Sequence, residues 1–236
     1  MPIPAKYLSD FQEHGVYHVY NRTSTGQLLF QNEENHFYFL RKYSKYLQPV
    51  LDTFCWNLQP NHFHLMVRVK AAAEITKAIA AKAGKAIAVN GQTAIQISEN
   101  DESLTITEIR FLENKITLSE IIEHYFKCWF QAYSMAFNKA NNHKGNLFYK
   151  PFKRIEIANK ADFIPLVIYI HANAQKHRLC KSFTQYPWSS YHSILSNSAT
   201  LLSRKEVLDL FGGTAAFVAA HSGANRYYYH NDYSIE

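Results

Sequence analysis

Alternating and helical runs of apolar residues divide this chain into readable segments. Val16 to Arg22 (Val-Tyr-His-Val-Tyr-Asn-Arg) predicts a strand, with His18 and Tyr20 on one face and Tyr17 and Val19 on the other. Asn32 followed by Glu33 and Glu34 is an N-cap signal, opening an amphipathic helix from about Glu33 to Leu47 that Pro49 stops. Val50 to Leu58 reads as a second strand, and Pro60-Asn61 turns it directly into a third that begins at His62. In that third strand His62 and His64 share a face while Phe63 points the other way. Two imidazoles can then be aimed at one ion, with Phe63 and Leu65 left for a core. The opening order is strand, helix, strand, strand.

Residues 71–114 interrupt this regularity. Ala71 to Ala88 is alanine-rich with spaced lysines and predicts partial helix. Gly91 to Arg110 is polar, and the alternation at Ile95/Ile97 and Leu104/Ile106 fits a small hairpin. The segment reads as an insertion or a flexible connection within a single domain that spans 1–236, and no chemistry is expected on it. Thr117 and Glu120 then form a capping box opening a strong helix. Its Ile121, Ile122, Tyr125, Phe126, Trp129, Phe130, Tyr133 and Phe137 recur at helical spacing and are expected in the core rather than on a stacking platform. Leu147 to Ile157 reads as a strand in which Pro151 marks an edge or a bulge. Asp162 is positioned to cap a helix from Phe163 to about Asn173, which places Tyr169 and Asn173 on one face. Ser203 to Phe211 predicts a short helix closed by Gly212-Gly213. Residues 192–236 read as a C-terminal extension, loosely held from His221 onward.

Composition adds a partner class. Of 236 residues 47% are hydrophobic, with 8 Gly and 7 Pro, which describes a globular chain. No apolar run approaches the roughly 20 residues of a bilayer span, and Met1 to Gly15 lacks the pattern of a secretory signal. Cys55, Cys128 and Cys180 are widely spaced and read as reduced thiols, so a cytoplasmic, non-membrane protein is expected. The net charge of +6 is uneven: Lys127 to Lys181 holds ten Lys/Arg against Glu156 and Asp162. Such a basic window favours a polyanion, of which nucleic acid is the usual one. Arg22, Lys144, Lys150, Lys153 and Arg154 are placed by charge and position to bind phosphates. Aromatic residues, 15% of the chain, suit base stacking as well as a core.

Five segments, in order, carry a resemblance. They are Tyr17-His18-Val19-Tyr20-Asn21-Arg22; Pro60-Asn61-His62-Phe63-His64-Leu65-Met66-Val67; Gly145-Asn146-Leu147-Phe148 with Phe152-Lys153-Arg154; Tyr169-Ile170-His171-Ala172-Asn173; and Tyr186-Pro187-Trp188-Ser189-Ser190-Tyr191. Together they resemble the single-tyrosine HUH transposases, in particular the REP-associated tyrosine transposases and related insertion-sequence-like proteins. The resemblance covers about 15–191, with 71–114 outside it.

It implies an α+β fold: a ferredoxin-like antiparallel sheet with helices packed on it. It also implies metal-dependent cleavage and rejoining of single-stranded, hairpin-forming DNA through a covalent 5′-phosphotyrosine. By the same resemblance His62 and His64 are metal ligands, Asn173 completes the site, Tyr169 is the nucleophile, and the ion is Mg²⁺ or Mn²⁺. Monomer and homodimer both remain open. A phenol titrates near pH 10, so Tyr169 needs activation by the ion or by a nearby lysine.

The family commonly has Glu-x-Asn-Pro after the tyrosine, whereas His171-Ala172-Asn173-Ala174 stands here. Ala174 allows the helix to continue, and the helical offset of His171 from Tyr169 directs it to solvent. Tyr149, among basic residues, is the nearest rival nucleophile. Two other readings compete: a domesticated protein that binds structured single strands without cutting them, and a hydrolase holding zinc through His62, His64 and either His18 or His171.

Overall fold

In the computed structural model, which describes residue 4 and residues 7–24, 26–83, 87–89, 92–94 and 103–228, the alternating segments pair into one antiparallel sheet. Its strands are β1 (Val16–Arg22), β2 (Leu51–Gln59), β3 (His62–Val69) and, later in the chain, a short strand over Lys153–Glu156. Between β1 and β2 runs α1 (Glu33–Leu47). The expected cap is present: the Asn32 side chain accepts from the Asn35 amide at 3.0 Å. β2 and β3 form the hairpin predicted from Pro60-Asn61, with Gln59 and His62 as the last Cα partners before the turn.

After β3 come α2 (Ala72–Lys82), a small hairpin of β4 (Ile87–Val89) and β5 (Gln92–Ala94), and α3 (Ile106–Leu112). The segment read as an insertion thus contributes to the main core, where Ile75, Ile79, Ile109 and Phe111 are buried. Leu104 and Ile106 do not form a strand: Thr105 and Glu108 make a capping box that starts α3. Ile95 and Ile97 lie outside the described residues.

The long helix α4 (Leu118–Ala140) opens on the Thr117–Glu120 box, as its sequence predicts. Its aromatic stripe is core: Trp129 is fully buried, donates from Nε1 to Phe39 O at 3.1 Å, and lies 5.2 Å from the Phe63 ring. The fourth strand of the main sheet, β6 (Lys153–Glu156), pairs with β1, giving the order β2-β3-β1-β6.

α5 (Phe163–Lys176) packs across β2 and β3. Asp162 makes no side-chain cap, and a short 3-10 turn capped by Asn159 precedes the helix instead. With alanine at 174 the helix runs on to Lys176. α6 (Tyr191–Leu195), α7 (Arg204–Phe211) and α8 (Thr214–Tyr228) follow. α7 ends on Gly212 at φ 86°, the left-handed conformation a glycine accepts without strain.

Strand alternation gives the sheet two unlike faces. Tyr17, Val19, Phe63, Leu65 and Val67 meet Phe39 and Trp129 of α1 and α4 in the larger core. On the other face Cys55 and Met66 pack with Val167 and Ile170 of α5, and with Val207, Phe211 and Phe217 of α7 and α8, in a second core. The C-terminal segment is therefore not loosely held at His221, which is 1% exposed. Cys55, Cys128 and Cys180 form no disulfide. No helix among the described residues is long and apolar enough to cross a membrane.

Candidate active site on the α5 face of the sheet

Pairing register places the polar side chains of three strands in rows on one face. Gln59, His62 and Arg22 are successive Cα partners across β2, β3 and β1. One step along the strands, Asn57, His64, Tyr20 and Lys153 form the next row. Directly opposed residues share a face, and the rings confirm this. His18, Tyr20 and His64 stack on one another at centroid distances of 4.8 to 5.6 Å. His62 and His64 lie 5.2 Å apart and nearly perpendicular.

Hydrogen bonds orient both histidines through Nδ1. His62 Nδ1–H donates to Asn61 Oδ1 at 2.7 Å, which leaves Nε2 as its lone-pair nitrogen. His64 Nδ1 lies 2.9 Å from His18 Nε2. A coordinating Nε2 on His64 requires the shared proton to sit on Nδ1 and to be donated to His18. His64 Nε2 itself is buried without a hydrogen-bond partner. Burial holds the His18 imidazole down at about 3. It also holds His64 well below its usual value, reinforced by the neighbouring His18, His62, His177 and Lys176. Both rings are therefore neutral at physiological pH, the state in which an imidazole can coordinate an ion.

Tyr169 reaches this face from α5. Its ring is edge-on to His64 at 6.0 Å and to His18 at 6.2 Å, and it is 4% exposed. Lys176, two turns further along α5, places Nζ 5.4 Å from the Tyr169 ring centroid. Asn173, one turn after Tyr169, is fully buried, and its Oδ1 accepts from Gln59 Nε2. His177 at the end of α5 lies 5.2 Å from the His62 ring. The four residues expected at the chemistry, His62, His64, Tyr169 and Asn173, are thus gathered at one place. Gln59, Lys176 and His177 join them without being marked by the motifs. The signal for Gln59 is that Asn57 and Gln59 are polar at alternate positions of the apolar stretch that starts at Phe54 in β2, on the face of the histidines.

The basic residues divide. Arg22 is exposed beside His62, with its guanidinium 5.0 Å over the Tyr149 ring. Lys150 is exposed next to Tyr149, whose amide bonds Arg22 O. Half-buried Lys153 lies over Tyr7 and Tyr20, and Lys144 is exposed in the loop after α4. Arg154 corrects its expected role: it points to the opposite face and is 5% exposed. Its Nε donates to Ser9 O at 2.6 Å, its Nη2 pairs with Glu123, and Phe11 and Phe152 flank it. Arg154→Met is accordingly expected to lower unfolding stability by about 2 kcal/mol, without changing single-strand affinity. Urea unfolding and a DNA titration on the same variant check both halves.

His171 is also corrected. It is fully buried in the second core, with Nε2 2.8 Å from Ser190 Oγ and Nδ1 2.9 Å from His221 Nε2. Both nitrogens are engaged away from the His62–His64 pocket, and His18 faces the orienting nitrogen of His64. Neither is placed as the third ligand that the zinc reading requires.

Among the described residues no group of three or more His, Cys, Asp or Glu is arranged to hold a metal ion. The donors gathered here are imidazoles and carboxamides. The buried, unpartnered His64 Nε2 and Gln59 Oε1 are lone-pair atoms of the kind a cation would satisfy. A mixed nitrogen and neutral-oxygen set of this kind suits Mn²⁺ at least as well as Mg²⁺.

No protein-family profile matches the chain, and no curated protein matches it. Among solved structures, a REP-associated tyrosine transposase bound to a REP hairpin is similar over 83% of this chain and 92% of that one, at 13% identity and a TM-score of 0.47.

Proposed function

We propose that this protein is a single-tyrosine, HUH-type transposase that cleaves and rejoins hairpin-forming single-stranded DNA. The observation that carries the reading is the convergence of Tyr169 on the two histidines. A tyrosine more than a hundred positions from His64 lies edge-on to it, and Asn173 one turn later enters the same pocket. Sheet topology supports the fold half of the proposal. The order β2-β3-β1-β6, with α1 before β2 and α4 before β6, is consistent with a ferredoxin-like βαββαβ unit.

In this reading Tyr169 Oη attacks the scissile phosphorus. An Oη–P bond forms as the P–O3′ bond breaks, leaving a 5′-phosphotyrosine and a 3′-hydroxyl that takes up a proton. The reverse attack by a 3′-hydroxyl rejoins a strand, so the phosphodiester energy is conserved and no nucleotide cofactor is needed. Lys176, with Nζ 5.4 Å from the Tyr169 ring centroid, would hold the phenolate by charge. His62, His64 and the Gln59–Asn173 carboxamides would hold the divalent ion, which when bound would draw charge from the phosphate oxygens. Arg22, Lys150 and Lys153 line the approach and would grip flanking phosphates, with Lys144 further along the loop. Tyr149, exposed beside Arg22, offers a ring for bases.

The test is a covalent-adduct assay with labelled single-stranded hairpins from the gene's flanks and Mn²⁺ or Mg²⁺. A denaturant-resistant protein–DNA band that disappears with chelator is expected. Tight binding without any adduct would put the non-cleaving reading first.

A further inference from the structure

Gln59 and Asn173 come from different elements, yet their carboxamides meet in the pocket. Gln59 is the last residue of β2 and the Cα partner of His62, so its side chain lies on the face of the histidines. It is 1% exposed, and its Nε2 donates to Asn173 Oδ1. That bond leaves Gln59 Oε1 and Asn173 Nδ2 buried without partners.

Two carboxamides bring two carbonyl oxygens and two amino groups, and one bond between them consumes one of each. One oxygen and one amino group remain. Rotating both amides by half a turn changes which residue owns the remaining oxygen, but not that one remains. A buried carbonyl oxygen without a donor is unfavourable, and this one shares its pocket with the unpartnered His64 Nε2. An ion held between them would satisfy both lone pairs together.

We propose that Gln59 and Asn173 act as one two-residue ligand, in which one amide fixes the other and the remaining oxygen completes the site with His62 and His64. The proposal rests on the ion-dependent reading above and adds Gln59 to it. Gln59, His62 and His64 all belong to one hairpin, and α5 contributes Asn173 alone. Every ligand is neutral, and Lys176 and Arg22 stand close by. The negative charge that retains a divalent ion must then come from the DNA phosphate, so ion and DNA are expected to bind cooperatively.

Mn²⁺ titration followed by electron paramagnetic resonance tests this on the intact protein, with and without a single-stranded oligonucleotide. Gln59→Leu and Asn173→Leu are each expected to weaken Mn²⁺ binding by about 10- to 100-fold. The double variant is expected to be no weaker than the worse single one, because the pair works as a unit. Gln59→Glu removes the donor to Asn173 Oδ1, which a half-turn of the Asn173 amide replaces with a bond from Nδ2 to the new carboxylate, and it adds a charged oxygen. It is expected to bind Mn²⁺ more tightly than wild type without DNA, and to show less gain when DNA is added.

Unchanged Mn²⁺ affinity in a folded Gln59→Leu, or no tightening in Gln59→Glu, would overturn the proposal. Those results could coexist with a wild-type adduct, which would leave the transposase reading standing. Conversely, the predicted Mn²⁺ pattern without any adduct would uphold the ligand pair and sink the strand-transfer chemistry.

Discussion

Tyr169→Phe is expected to fold and to hold single-stranded DNA while losing the covalent adduct, with strand cleavage reduced at least about a thousandfold. The substitution removes one oxygen and keeps the ring. That ring makes the packing: edge-on to His18 and His64, beneath Lys176, and in the second core alongside Val167 and Ile170. Stability should therefore change by no more than about 1 kcal/mol, so loss of the adduct could not be ascribed to unfolding. The rival tyrosines are differently placed. Tyr149 is 44% exposed at the corner of the sheet with Arg22 over its ring. Tyr20 shares the histidine face but stacks flat on His18 and His64 as part of β1. Tyr149→Phe and Tyr20→Phe should both still form the adduct on a denaturing gel. An adduct that survives Tyr169→Phe and vanishes in either control would move the nucleophile.

Features governed by neighbours along the chain were legible in the sequence. Period-two alternation put His62 and His64 on one face and Phe63 on the other, and Phe63 duly meets Trp129 of α4. Asn32 and Thr117 start their helices where side-chain capping chemistry places them. Features that depend on what covers a surface were not. His171 sits two residues, about 200° of helical turn, from Tyr169, so it faces away from the sheet. That side of α5 is covered by α8, whose His221 meets the His171 ring, and the offset from Tyr169 carries no trace of this cover. Arg154 belongs to a basic window, but alternation sends one of the Lys153–Arg154 pair to each face. Only the long-range placement of Glu123 shows which of them is internal. The meeting of Gln59 with Asn173 spans 114 positions, and no local pattern encodes it.

Acid is expected to unfold the protein in a steep transition between about pH 6 and 4.5, because several histidines are built in as neutral rings. The clearest case joins α5 to α8. Phe217 O can only accept, so His221 must carry its proton on Nδ1, which donates at 2.8 Å. His221 Nε2 then accepts from His171 Nδ1–H, His171 Nε2 accepts from the Ser190 hydroxyl, and Ser190 Oγ accepts from the Trp56 amide. With both rings neutral every bond in this chain has one direction, and an added proton on His221 Nε2 sets donor against donor across the His171–His221 bond. Burial pushes His221 down to about 4, and His36, stacked on Trp188, also to about 4. His171 is held well below its usual value by burial first, then by the His221 and His192 charges.

In the unfolded chain these rings titrate near 6.5. Between 6.5 and about 4 the unfolded state therefore binds more protons, and stability falls as pH falls. Each group contributes about 1.4 kcal/mol per pH unit. His36 and His221 together then remove about 3 kcal/mol between pH 6.5 and 5, a large share of the stability of a typical domain, and His171 adds to the loss. His18 and His64 act in the same direction. Above pH 7 all these rings are neutral in both states and stability should level off. Urea midpoints measured from pH 8 to 5 test the slope, and His221→Gln should make it shallower by about one group's share. A midpoint that stays constant from pH 7 to 5 would mean that these rings are not held neutral inside the folded protein.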